Sequence, residues 1–230
     1  MSRLRRAAWP HPEWWALALS AVAWIDLVAW SAGSPGGGHA AHANVLTVAN
    51  RWMIMVIAMM FPLVVGSIRT TAERSLWSRR HRAIGLFLAG YLATWLAAGV
   101  SLQLAITTVD MTRWVPPSLL GAVAFTLAAA WQFGVPKWRA VRACHRAARL
   151  APHGWRADCD CGRYGWTVGR QCVMSCGPLM LALQLTSHSV PLILSISALT
   201  LFERYAGKPM PGTFVVPAGL AVFYALGAAA

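Results

Sequence analysis

Charge is what this sequence has least of. Asp, Glu, Lys and Arg supply 12% of its 230 residues, about half the share of an ordinary water-soluble domain. No stretch is polar enough to form a separate soluble domain. No basic–aromatic nucleic-acid module is present, so the net charge of +13 does not point to a nucleic-acid partner. No clean A-x-A cleavage site follows the first apolar run, which also contains Asp26. That run therefore reads as a retained span rather than a signal peptide. No internal repeat or inverted symmetry argues for a transporter fold. Low complexity is confined to the Gly- and His-rich stretch 31–44.

What is present is mostly apolar. Hydrophobic residues make up 57% of the chain, and the mean hydropathy is +0.51. A spanning helix needs about 20 apolar residues. The sequence predicts an all-α, polytopic transmembrane helical bundle of six or seven spans, one integral membrane domain over residues 1–230. Hydropathy places the spans near 14–31, 45–68, 83–108, 115–135, 168–185, 188–202 and 212–226. Ser187, His188, Ser189 and Pro191 form a turn signal between the short fifth and sixth spans.

With seven spans, 18 of the 20 Lys and Arg residues fall on one face, eight of them from Lys137 to Arg170, in and just after a basic loop over 136–167. Cytoplasmic loops collect Lys and Arg, so the N-terminus and this loop are expected to be cytoplasmic. The expected partners are the lipid bilayer and, at the basic face, anionic lipids.

Few residues offer chemistry. In the second span Met53 and Met60 are seven apart and Met55 and Met59 four apart, so each pair shares a helix face. Thioethers suit Cu(I), although Met is also an ordinary packing residue. Pro62 removes a backbone donor and frees a carbonyl there, either as a place for a ligand or as a simple bend. In the fifth span Cys172, Cys176 and Met180 repeat every four residues, a soft stripe down one face. Their C-x3-C spacing is not the C-x2-C of zinc ribbons or thioredoxin-like motifs. Two thiols one turn apart suit a shared metal better than a disulfide. Small buried cysteines at a helix interface are the competing reading. Met60 and Cys176 both fall near mid-span and are expected to meet.

Other candidates are weaker. Asp26, inside the first span, is a candidate proton or ion site or a partner for Arg51. His39 and His42 are a candidate outer metal-capture pair. Cys144, His145, His153, Asp158, Cys159, Asp160 and Cys161 contain a C-x-C that could take zinc or copper. The surrounding basic residues favour reading them as incidental. Glu203-Arg204 reads as an interfacial ion pair.

These residues resemble a bacterial family described as predicted metal-binding integral membrane proteins. Trp52-Met-Ile-Met-Val-Ile-Ala-Met-Met-Phe-Pro62 is similar to its W-x-x-M-x-x-A-M-M-x-P signature. Trp131-Gln-Phe-Gly-Val-Pro-Lys137 is similar to a second conserved stretch of that family, and Cys144 sits where it carries a cysteine. Gly165 to Met180 resembles its glycine- and cysteine-bearing helix, and Glu203-Arg204 stands where it has Glu-Lys. His39 and His42 replace a loop that is commonly Met-rich. The resemblance implies a bacterial cytoplasmic (inner) membrane protein and a metal ion, but no reaction.

The favoured function is a membrane metal-handling protein that binds or moves a soft metal, copper before zinc. The candidate ligands are Met55, Met59, Met60, Cys172, Cys176 and Met180. The alternatives are a membrane oxidoreductase or cofactor-binding subunit, and a structural subunit without chemistry. The oxidoreductase lacks the paired intramembrane histidines of a bis-haem site.

Overall fold

Long apolar runs satisfy their own backbone donors and acceptors by coiling into helices, and this chain does so throughout. The computed structural model describes residues 13–33, 45–109, 115–146, 148–151, 153–186, 189–206 and 211–229. Among these, eight α-helices follow in order: α1 (Trp14–Gly33), α2 (Val45–Glu73), α3 (Arg80–Val109), α4 (Pro117–Trp131), α5 (Val135–Ala143), α6 (Gly154–Leu185), α7 (Val190–Ala206) and α8 (Val215–Ala229). No strand occurs among the described residues.

Three helical stretches, Trp14–Ser31, Leu46–Glu73 and Trp77–Thr108, are long and apolar enough to cross a membrane. A fourth is added if α4 and α5, bent by 70° at a short break, count as one span. The expected fifth, sixth and seventh spans fall short of that measure. Arg170, Gln171 and Gln184 dilute the 32-residue α6, α7 has only 17 residues, and the last apolar helix runs only from Gly212 to Gly227.

The segment 136–167, expected as a loop, is largely helical. It contains α5, and α6 begins at Gly154 rather than near Val168. Hydropathy missed this because both pieces are amphipathic. Lys137, Trp138, Ala140 and Val141 turn inward on α5, while Ala157, Cys161 and Tyr164 do so on α6.

The tightest crossing pairs α3 with α6, and glycine makes it possible. A Cβ on Gly165 would lie 1.9 Å from the Phe87 carbonyl oxygen, and one on Gly90 would lie 2.2 Å from that of Gly162. Small residues let two helix backbones approach this closely.

Two prolines interrupt helices without leaving the freed carbonyls bare. Pro62 cannot donate to the Ala58 carbonyl one turn back, and the Ser20 hydroxyl of α1 donates to it at 2.7 Å. Pro178 likewise frees the Met174 carbonyl, which accepts from the Trp131 indole at 3.0 Å. The Pro62 gap, one reading of which was a ligand site, is thus filled from α1.

The core gathers side chains of α2, α3, α4, α6 and α7 around Met55, Met59, Met60, Phe61, Phe87, Tyr91, Trp95 and Met180, all fully buried. The outside is also apolar. Trp15, Val22, Ile25, Leu104, Leu127, Phe223 and Leu226 point outward on α1, α3, α4 and α8.

Candidate metal centre

α2 and α6 bring their sulfurs together in this core. The Cys172 thiol donates toward the Met60 thioether at 3.8 Å. On the other side of Cys172, the Tyr91 hydroxyl of α3 donates to its sulfur at 3.2 Å. One turn on, Cys176 lies beside Cys172 and 3.4 Å from the Ser175 hydroxyl. Ser175 in turn donates to the Cys172 carbonyl at 3.0 Å. Met60 therefore meets Cys172, one turn before the Cys176 it was expected to lie near. Met55, Met59 and Met180 are buried in the same core, while Met53 is only half-buried.

Beside the two thiols is a cavity of about 10 Å³, roughly the room one water or one ion needs. Cys144, Cys172, Cys176, Ser175, Glu203 and Arg204 line it, with Thr200 and apolar residues of α2, α5 and α6 closing the rest. Three of the five cysteines thus face one small space. Sequence reasoning had set Cys144 aside as incidental; its only signal was its place in the family pattern.

The floor of this cavity is electrostatic. Lys137, fully buried on α5, holds both oxygens of the Glu203 carboxylate at 2.7 Å. Glu203-Arg204 is therefore not an ion pair with itself. Arg204 donates to the Cys144 carbonyl at 3.1 Å, and a His145 ring nitrogen lies 3.0 Å from the Arg204 carbonyl oxygen. These two bonds tie the end of α5 to the end of α7 over the cavity. Burial pushes the Cys144 thiol above its ordinary range, and Arg204 partly offsets it. Burial and the Arg204 charge pull the His145 imidazole below its ordinary range, with its bond to the Arg204 carbonyl partly offsetting them.

The remaining candidates lie elsewhere. Asp26 is exposed on the outer face of α1, and Arg51 stacks over the Trp30 ring, 4.1 Å from its centre. His39 and His42 lie outside the described residues. The C-x-C region does not converge: Asp158 is held by Arg79 at 2.6 Å and Arg82 at 2.8 Å, Asp160 accepts from the Ala151 N–H, Cys159 is exposed and Cys161 is buried. Among the described residues, no three His, Cys, Asp or Glu side chains are arranged to hold a metal. That weighs against zinc, whose structural sites take four such ligands. Two thiols and a thioether are instead a soft set of the kind that selects Cu(I).

The described residues thus form an all-helical bundle with a buried sulfur cluster. Residues 49–228 match the model of the PpoB2 family, described as a copper chaperone, and the chain belongs to that family. No curated protein and no solved structure matches the chain. Its function is therefore copper-related. The matched region contains every sulfur described above and excludes α1 with Asp26.

Proposed function

We propose that this chain is a bacterial inner-membrane protein that binds Cu(I) within its helical bundle and passes it on. Met60, Cys172 and Cys176 are the ligands, with Met55, Met59 and Met180 as further soft positions along the same core. The observation that carries this reading is the Cys172–Met60 sulfur contact beside an ion-sized cavity that Cys176 and Cys144 also line. Copper is the cargo. Each cysteine that ligates it gives up its proton, and Tyr91 is placed to donate to the resulting thiolate of Cys172. Cys144, at the end of α5, is the sulfur that the basic segment contributes to the cavity.

In this reading α6, α7 and α8 also cross the bilayer, giving the six or seven spans that hydropathy predicts. Ser175 of α6 and Ser197, Thr200 and Glu203 of α7 face the bundle, and the exposed Arg163 and Arg170 lie toward the basic end of α6. The N-terminus and the basic segment 136–167 lie in the cytoplasm, against anionic lipid, by the positive-inside rule. The apolar outer surfaces of α1, α3, α4 and α8 support contact with lipid. The test is the copper content of the purified chain and of its Cys172→Ser/Cys176→Ser variant, after growth in ample copper. One bound Cu(I) in the first and none in the second is expected. Equal content in both would remove the thiol site, and an empty wild type would remove the copper-binding reading.

A further inference from the structure

The outer face of α5 carries a feature that copper handling does not use. Arg139, Arg142 and Arg146 follow one another at spacings of three and four, so they share one side of the helix and the turn after it. All three are exposed. Together with Gln171 and Met174 of α6 they border a groove of about 420 Å³. No acid lines it. The nearby described acids are committed elsewhere, Asp158 to Arg79 and Arg82, and Glu203 to Lys137. Three guanidinium groups with no carboxylate among them form a strong anion site, since each offers a planar fork of donors that matches a phosphate.

The groove's position narrows the anion. The 70° bend between α4 and α5 turns α5 nearly across the direction of α4. If α4 crosses the bilayer, α5 lies in the interfacial plane, where basic amphipathic helices rest. Beside the arginines, Met174 is 46% exposed, and Phe133 and Val135 near the bend are 64% and 59% exposed. A free phosphate has no use for such an apolar margin, whereas a lipid places its chains against it. Basic pockets between helices on the cytoplasmic side recognise anionic headgroups in this manner.

We propose that the groove between α5 and α6 binds the phosphate headgroup of an anionic phospholipid. The inference rests on the membrane reading above. It also gives α5 two roles, because the opposite face of the same helix supplies Val141, and its end supplies Cys144, to the cavity, while its Lys137 pairs with Glu203 of that cavity.

The test uses the full chain purified in a neutral detergent. Short-chain phosphatidylglycerol, phosphatidylcholine of the same chain length, inorganic phosphate and an oligoglutamate peptide are titrated separately, with binding read by native mass spectrometry and by the thermal melt. Saturable binding of phosphatidylglycerol alone is expected. R139Q/R142Q/R146Q should weaken it roughly 100-fold, about a factor of five for each arginine. R149Q/R156Q/R163Q, which removes the same charge from other exposed positions, should leave it unchanged. If the first triple variant melts early, R139Q and R146Q singly should each weaken binding about five-fold. Equal binding of the two lipids, or unchanged affinity in the arginine variants, overturns the proposal. So does inorganic phosphate or the acidic peptide binding as tightly as phosphatidylglycerol. Copper content measured on the same samples keeps the two readings apart: full copper without lipid selectivity sinks only the groove, and release from cell membranes without detergent sinks the membrane reading and the groove together.

Discussion

The Cys172 thiol sits between an acceptor and a donor, 3.8 Å from the Met60 thioether and 3.2 Å from the Tyr91 hydroxyl. If that thiol is a copper ligand, Cys172→Ser/Cys176→Ser should abolish copper binding and cost stability little. Serine is near cysteine in size and can bond back to the helix carbonyl four residues earlier, so about 1 kcal/mol or less is expected. Met60→Leu should keep the core packed while lowering copper affinity by roughly tenfold or more, since it removes one soft ligand and little volume. Metal stoichiometry and thermal melts of the three proteins check this. A Met60→Leu variant with wild-type affinity would take Met60 out of the site.

Much of this arrangement was legible in the sequence, and the reason for the remainder is specific. The spacing of Cys172, Cys176 and Met180 fixes a shared helix face once the segment is helical, and the Ala58-Met59-Met60 cluster marks a buried stretch of α2. Spacing along one helix cannot say which turn faces another helix, so the direct contact of Met60 with Cys172 was not legible in it. Cys144 was dismissed because a basic segment looks like a loop. It is in fact an amphipathic helix whose inner face closes the cavity. The partner of Glu203 is 66 residues away on α5, a relation no local pattern encodes. The available clue was a lysine flanked by Pro136 and Trp138, poor surroundings for an exposed cation.

That lysine gives the second prediction. Lys137 and Glu203 are both almost fully buried and 2.7 Å apart. Removing one partner strands the other charge, so Lys137→Met or Glu203→Leu alone should destabilise by about 3–5 kcal/mol. The double variant Lys137→Met/Glu203→Leu should recover most of that loss, because a buried pair can be replaced by apolar groups at little net cost. Denaturation of the four proteins in detergent gives the coupling. Simple additivity would mean that the two residues are not partners.

The filled proline gaps give a third. Ser20→Ala removes the donor that serves the carbonyl freed by Pro62. An orphaned buried carbonyl costs about 1–3 kcal/mol. Ser20→Thr keeps the hydroxyl and should cost less. If Pro62→Ala restores the helical bond, Ser20→Ala should become nearly neutral in that background. An equal loss with and without Pro62 would show that Ser20 acts through packing instead.

Close approach of α3 and α6 gives a fourth. Gly165→Ala places a methyl 1.9 Å from the Phe87 carbonyl oxygen, and backbone cannot move aside as a side chain can. The two helices must separate, at a cost of about 1–3 kcal/mol or more. Gly66→Ala on α2 meets nothing within 4 Å and should be neutral or stabilise slightly, since alanine loses less entropy in a helix. Copper affinity should fall with Gly165→Ala as well, because Cys172 is two turns along α6 and Tyr91 one turn along α3 from the crossing. Matching melts for the two variants would contradict the packing described here.

The last prediction uses the chain's own cysteines as reporters of sidedness. Of the five, Cys144, Cys161, Cys172 and Cys176 are buried and only Cys159 is exposed. Burial also pushes the Cys161 thiol up, with Arg79 partly offsetting it, so at neutral pH it holds less of the thiolate that maleimides attack. A membrane-impermeant maleimide should therefore report on Cys159 alone. Cys159 lies in the segment 136–167, whose seven Lys and Arg residues would place it in the cytoplasm by the positive-inside rule. Intact cells should not label. Permeabilised cells, or inside-out vesicles, should take up one label per chain, and Cys159→Ser should take up none. The buried cysteines should become reactive only on denaturation, which provides the internal count. Prompt labelling of Cys159 in intact cells would invert the orientation.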